Sequence, residues 1–145
     1  MTASTRCSLT LPRATRSSWI PRSGFFLQCA WEVLEDAGYT RATVAPGRDG
    51  LAGGDVGVFA GVMWEEYQLY GAERSALGQP LAIPGSPASI ANRVSYFLNF
   101  HGPSIAVDSM CSSSLTAIHL ACESLRTGDC SVALAGGVNL TPPSQ

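Results

Sequence analysis

A cysteine at the junction of a predicted strand and a predicted helix is the residue whose type and position most suggest chemistry. In V-D-S-M-C-S-S-S-L-T-A-I-H-L (residues 107–120), an apolar run ends at Asp108 and an apolar periodic segment follows Cys111. Because the N-terminus of a helix is partly positive, a cysteine there is expected to favour the thiolate, the nucleophilic form. Backbone N–H groups of such a turn can also stabilise a developing oxyanion. The pattern predicts acyl transfer through a thioester on Cys111.

The three serines after Cys111 are predicted to begin the helix, because a serine hydroxyl can accept an N–H that the first turn leaves unpaired. A structural interpretation of Cys111 competes with the chemical one. A lone cysteine in an apolar region is usually a small buried hydrophobe. The spacing alone leaves both interpretations open.

Composition narrows the class of protein. The chain has 145 residues, of which 46% are hydrophobic and 14% charged, so it is predicted to form one modest domain with a substantial core. A net charge of −2 without a basic stripe argues against nucleic-acid binding. No apolar run reaches the roughly 20 residues that span a bilayer, and we find no secretory signal pattern.

The cysteine pattern favours free thiols. The count of five is odd, and neither C-x-x-C nor a paired Cys/His ligand spacing occurs, so neither zinc nor a disulfide framework is predicted. A reducing cytoplasm fits this usage best. The five are Cys7, Cys29, Cys111, Cys122 and Cys130.

The elements that must position Cys111 alternate between helices and apolar strands. Helices are predicted over 25–37, 86–99 and 112–127, and buried strands over 55–63, 104–107 and 131–138. Residues 64–72 are predicted to form a short helix or loop whose aromatic side is core rather than pocket lining. Continuous apolar strands between helices indicate an α/β layered fold. Such strands need cover on both faces, so we expect partners beyond these three helices.

Residues 1–23 are rich in Arg, Ser and Thr and lack a hydrophobic period, so they are predicted to form an irregular tail before a domain at 24–145. If residues 14–22 are back-translated with GC-rich codons and the frame is shifted by two bases, one permitted choice spells D-A-E-L-M-D-P-Q. That peptide would suit the start of the following helix. We therefore hypothesise that the tail is a frameshift product, which unambiguous in-frame upstream codons at the source locus would refute.

Four segments, in order, resemble the β-ketoacyl synthases, especially ketosynthase domains of modular polyketide synthases. The resemblance runs from about Phe25 to the end of the chain. The segments are F-L-Q-C-A-W-E-V-L-E-D-A-G-Y (26–39), I-A-N-R-V-S-Y-F-L-N-F-H-G-P-S (90–104), V-D-S-M-C-S-S-S-L-T-A-I-H-L-A (107–121) and V-A-L-A-G-G-V-N (132–139).

The resemblance implies a thiolase-like fold of two similar βαβ halves that works as a dimer. This chain would be an incomplete thiolase-like layered fold, one half with a mixed sheet and covering helices. It also implies decarboxylative Claisen condensation. Cys111 would take an acyl group from the phosphopantetheine thiol of an acyl carrier protein, and the carbanion of a malonyl-type extender would attack that thioester. The backbone N–H of Cys111 would donate to the oxyanion. Cysteine rather than glutamine there suggests chain elongation.

The same resemblance implies partners but no bound cofactor and no metal. The expected partners are the acyl carrier protein, a second copy of the domain, and acyltransferase and other synthase domains. The chain departs from the family pattern at Ser109-Met110, where many members carry Thr-Ala. By resemblance Met110 lies near the acyl tunnel and the dimer seam, so the substrate preference stays open.

The histidines that the family uses, in H-G-T-G-type and N-x-G-H-type motifs, and its lysine have no counterpart in the 145 residues, nor has its first strand. His119 follows Cys111 by eight residues, about 12 Å along a helix, whereas a general base works within about 3 Å. We therefore assign structural roles to His119 and His101, and core or helix-end roles to Cys122 and Cys130. Little or no condensing activity is expected of this polypeptide alone.

Two alternatives remain. A cysteine hydrolase would use Cys111 but lacks a well-placed histidine and papain-type or G-x-S-x-G surroundings. A non-catalytic truncated product or dimerising module would expose the faces that its missing half covers, and would aggregate or self-associate.

Overall fold

The computed structural model describes residues 21–41, 43–44, 54–63, 72, 75–78 and 86–140. Helices and strands alternate in the predicted order, and the strand before Cys111 has its predicted bounds. The elements are α1 (Pro21–Asp36), β1 (Val56–Val62), α2 (Ala88–Leu98), β2 (Ser104–Val107), α3 (Ser113–Thr127) and β3 (Val132–Val138). The short segment predicted at 64–72 lies almost entirely outside the described residues.

The three described strands form a parallel sheet in the order β2-β1-β3. Helix α2 connects β1 to β2, and α3 connects β2 back across β1 to β3, so each strand re-enters the sheet in the same direction. This confirms the predicted α/β layered fold. The strands described are all parallel, whereas the expectation was a mixed sheet.

Helices cover both faces of β1, which is buried along its whole length. Because side chains alternate across a strand, Val56, Val58, Ala60 and Val62 face α1 and α2, while Phe59 faces Ala117 and Ala121 of α3. The result is three layers, with the sheet between α1 and α2 on one side and α3 on the other.

The third strand is less buried than predicted. Of the residues in β3, Val138 is the only buried one, and the others are half-buried or exposed. In the described sheet β3 has a neighbour on one side, β1, so its other edge lacks the cover that the predicted burial assumed.

Helix α1 begins at Pro21, four residues before its predicted start at Phe25. Proline suits the first turn, where its missing N–H would have no partner within the helix. Arg22 and Ser23 are buried, and the Arg22 guanidinium donates to the Met63 carbonyl at 3.1 Å. Residues 21–23 therefore belong to the domain and not to a tail, while residues 1–20 lie outside the described part. No helix in that part is long and apolar enough to cross a membrane.

Candidate active site at the carboxyl edge of the sheet

Cys111 lies in the turn between β2, which ends at Val107, and α3, which begins at Ser113. It is exposed, so it is not the buried hydrophobe of the structural interpretation. The strand-to-helix corner predicted from the sequence is present. This corner stands at the carboxyl ends of the parallel strands, where α/β folds usually bind their ligands.

Side-chain hydrogen bonds fix the turn on both sides of Met110. The N–H of Met110 donates to the Asp108 carboxylate at 2.8 Å, and the Ser113 hydroxyl donates to the Met110 carbonyl at 2.6 Å. The same hydroxyl accepts the Ser109 N–H at 2.9 Å. Met110 has a φ of 60°, a left-handed conformation that costs a residue with a side chain about 1–2 kcal/mol. These bonds offset that strain and hold the residue before the thiol in place.

The predicted capping by serine hydroxyls was wrong. Ser112 is the N-cap residue of α3, but its side chain makes no capping bond. Its hydroxyl donates instead to the Ser109 carbonyl at 2.8 Å, and the buried Ser113 hydroxyl is used within the turn. The serine hydroxyls therefore stabilise the turn and do not accept hydrogen bonds from the amides of the first helical turn.

The hydrogen bonds described above that fix the turn do not use the N–H of Cys111. Among the described residues, no oxygen accepts a hydrogen bond from this N–H, and none accepts one from the Ser114 N–H. The first N–H groups of a helix have no partner within the helix unless a capping group accepts their hydrogen bonds. The site thus offers an exposed thiol and its own free amide donor, the pair that an acyl-transfer intermediate requires.

A cleft of about 360 Å³ opens beside the thiol. The ends of β1 and β3 and the first turn of α3 form its walls. They include Val62, Met63, Met110, Cys111, Val138 and Asn139. The structure therefore brings the two predicted site residues, Met110 and Cys111, into one cleft.

Sequence reasoning missed the walls contributed by β1 and β3. Residues 59–63 read F-A-G-V-M and residues 135–139 read A-G-G-V-N. Each run lies at the carboxyl end of a predicted strand and contains glycine. Since the carboxyl ends of parallel strands meet at one edge, these two runs could have been placed beside Cys111 once the sheet was taken as parallel.

Neither histidine reaches the thiol. His119 is exposed on α3, eight residues along the chain from Cys111. His101 is exposed at the opposite edge of the sheet, where its backbone N–H donates to the Gly54 carbonyl at 3.1 Å ahead of β1. Their positions in the structure place both histidines away from the cleft that contains Cys111.

The two cysteines predicted to have core or helix-end roles, Cys122 and Cys130, differ in burial. Cys130 is buried after α3, and its thiol donates to the Ser124 hydroxyl at 3.4 Å. Cys122 is exposed, so its assignment to the core was wrong. It lies on the side of α3 that faces away from the sheet, where the described residues provide no cover.

Replacing Ser113 by alanine should lower the free energy of unfolding by about 1–3 kcal/mol, because the Ser109 N–H and the Met110 carbonyl would lose their shared partner in a partly buried turn. Urea unfolding followed by circular dichroism measures the effect. Ser114→Ala is the matched control, since Ser114 is exposed and its hydroxyl bonds to nothing in the described part of the chain. Equal shifts in the two midpoints would contradict the expectation.

Comparison with known proteins agrees with this geometry. The family model described as "Beta-ketoacyl synthase, N-terminal domain" matches residues 13–145, and so begins inside the segment predicted as a tail. Polyketide synthase PksL of Bacillus subtilis strain 168 and polyketide synthase ThaG of Burkholderia thailandensis are each 62% identical over 121 residues, 83% of this chain. The chain spans 3% of PksL and 2% of ThaG.

Solved ketosynthases have the same fold. The oxazolomycin ketosynthase domain OzmH KS7 of Streptomyces albus JA3453 superposes with a TM-score of 0.76 at 53% identity, over 86% of this chain and 21% of that one. The ketosynthase from module 6 of the bacillaene synthase of Bacillus subtilis 168 gives a TM-score of 0.73 at 33% identity, over 92% and 21%. The chain therefore belongs to the β-ketoacyl synthase family and corresponds to part of the N-terminal domain of a ketosynthase of the modular polyketide synthase type.

Proposed function

We propose that this chain carries the nucleophile of a β-ketoacyl synthase, in which Cys111 holds a growing acyl chain as a thioester during decarboxylative condensation. The observation that carries the proposal is the exposed Cys111 thiol beside its own unpaired N–H, at the mouth of a cleft of about 360 Å³. Family membership supplies the reaction class.

The acyl-transfer step follows from the atoms present. The Cys111 thiolate attacks the carbonyl carbon of an acyl thioester, and the carbonyl electron pair moves onto oxygen. The N–H of Cys111 donates to that oxyanion, which lowers the barrier because the donor is held in place by the turn before the reaction begins. Collapse of the intermediate breaks the bond between the carbonyl carbon and the carrier sulfur, releases the carrier as a thiolate, and leaves the acyl group on Cys111 Sγ.

The carrier and partners belong to the same proposal. The acyl donor is the phosphopantetheine arm of an acyl carrier protein, and the extender is a malonyl-type thioester. The domain pairs with a second copy and works beside acyltransferase and other synthase domains in the cytoplasm. The large size of the synthases that this chain matches supports a multidomain setting.

Met110 is proposed to line the acyl tunnel and the dimer seam. Its side chain is 63% exposed, contributes to the cleft that contains Cys111, and is held in one backbone conformation by the bonds of the turn. A large, flexible apolar side chain at this point would narrow the space for the first carbons of an acyl group.

Mixing the chain with acyl-pantetheine thioesters should add one acyl group at Cys111, because this thiol has both an open cleft and a nearby amide donor. Intact-mass spectrometry detects the adduct, and peptide mapping locates it among the five cysteines. Acyl groups spread equally over Cys111 and Cys122, which is exposed on α3, would show thiol exposure alone and contradict the proposal.

A non-catalytic, self-associating fragment is the second candidate. Leu115, Ile118 and Leu125 are exposed on the side of α3 that faces away from the sheet, with Leu115 at 70%. An apolar face of this kind promotes association or aggregation. Size-exclusion chromatography separates this candidate from a stable monomer. The cysteine hydrolase is less well supported, since neither histidine of the chain lies near Cys111.

A further inference from the structure

The first turn of α3 lies directly on a pair of glycines in the sheet. A Cβ atom added to Gly61 would lie 2.7 Å from Ser113 C and 2.7 Å from Ser114 N. A Cβ added to Gly137 would lie 3.0 Å from Ser114 Cβ. Gly61 and Gly137 are direct partners in the register of β1 and β3, so together they form a side-chain-free surface under the start of the helix.

We propose that Gly61 and Gly137 are positioning residues for Cys111, because they allow the first turn of α3 to settle against the sheet. The inference rests on the proposed function of Cys111 as acyl acceptor. The backbone that contacts Gly61 begins two residues after Cys111, so the height of this turn above the sheet sets the place of the thiol and of the Cys111 N–H.

The atoms that meet Gly61 are backbone atoms, which cannot rotate away. At a separation of 2.7 Å the helix turn would have to move by several tenths of an ångström to admit a methyl group. Misplacement of a reacting group by about 1 Å can cost about 100-fold in rate. A single methyl on Gly61 is therefore expected to slow acylation of Cys111 about 10- to 100-fold.

The same strands offer matched controls. Gly57 faces the same side of β1, but a Cβ there would meet the Phe59 ring at 2.7 Å and the Cys130 thiol at 3.1 Å, which are side-chain atoms and not the backbone of the first turn of α3. Gly136 precedes Gly137 in β3, and its Cβ would make ordinary contact with Phe26 at 3.5 Å. Gly57→Ala and Gly136→Ala thus add methyl groups to the same strands without touching the start of α3.

The experiment measures acylation of Cys111 by an acyl-pantetheine thioester in the full 145-residue chain and in Gly61→Ala, Gly137→Ala and the two controls. Alkylation of Cys111 by iodoacetamide is measured in parallel, since it requires an accessible thiol but no amide donor. We expect Gly61→Ala to lose acylation about 10- to 100-fold, and Gly137→Ala to lose less. Alkylation should stay within about threefold of the unaltered chain, and both controls should retain acylation.

Gly137→Ala keeps the test decisive if Gly61→Ala does not fold, since its Cβ meets a side-chain atom at the longer distance of 3.0 Å. Acylation at the unaltered rate in both site variants would overturn the positioning role. So would a loss accompanied by labelling of the buried Cys130, because that pattern means general unfolding. If the unaltered chain is never acylated, the acyl-acceptor function itself fails and the positioning role falls with it.

Discussion

Cys111→Ala should take up no acyl group from a thioester donor that acylates the unaltered chain. The substitution removes the sulfur that forms the bond, and the described part of the chain holds no second thiol in that cleft. The turn should survive, since its hydrogen bonds use Asp108, Ser109, Met110 and Ser113 and not the cysteine side chain. Intact-mass spectrometry over time measures the loss.

Cys122→Ala is the control for this experiment. Cys122 is exposed, as Cys111 is, and lies on α3, the helix that follows Cys111, but it does not line the cleft. We expect this variant to be acylated at the unaltered rate. Acylation that persists in Cys111→Ala, or that is lost equally in Cys122→Ala, would assign the reaction to a different thiol.

Local sequence patterns were sufficient to predict the elements that position Cys111. The β-branched run at 105–107 and the periodic segment at 113–127 each carry their own structural preference, so the corner between them follows without knowledge of the remaining chain. The alternation of such segments likewise predicts a layered α/β fold. The resemblance to ketosynthases then suggested the nucleophile role that we propose for Cys111, which spacing alone had left open.

The orientation of α3 could not be predicted in the same way. Periodicity marks Leu115, Ile118 and Leu125 as apolar. In the structure, however, the small residues Ala117 and Ala121 face Phe59, and these three larger side chains are exposed. A helix that lies close to a sheet needs small side chains at the contact. The assignment of Cys122 to the core was wrong for the same reason, since an apolar residue in a helix does not by itself show which side of the helix faces the sheet. The contact between α3 and the sheet depends on glycines in β1 and β3, which are distant in sequence.

The details of the turn also depend on more than residue type. Serine is a good N-cap residue in general, yet Ser112 and Ser113 bond within the turn because Met110 adopts a positive φ. A positive φ at methionine is uncommon, and no pattern in the sequence signals it. In this structure it is accompanied by hydrogen bonds of the Met110 N–H to the Asp108 carboxylate and of the Ser113 hydroxyl to the Met110 carbonyl.

The second large effect concerns the carbon–carbon bond-forming step. We expect the 145-residue chain to release no carbon dioxide from a malonyl thioester above the uncatalysed rate, even when Cys111 is fully acylated. Loss of carbon dioxide leaves an enolate that needs a donor within about 3 Å of its oxygen. His119 lies on α3 six residues after its start at Ser113, about 9 Å along the helix axis, and His101 lies at the opposite edge of the sheet.

Release of labelled carbon dioxide from malonyl-pantetheine measures this step, with a complete ketosynthase domain assayed beside the chain as a positive control. Acylation without decarboxylation would show that the nucleophile and the enolate donor are separable, because the thiol and its N–H lie in the turn between β2 and α3, away from both histidines. Decarboxylation at a rate near that of the complete domain would contradict the expectation. His119→Ala and His101→Ala would then identify the donor: a loss in either variant would mean that the histidine moves to the cleft, since its position in the structure is too distant for the step.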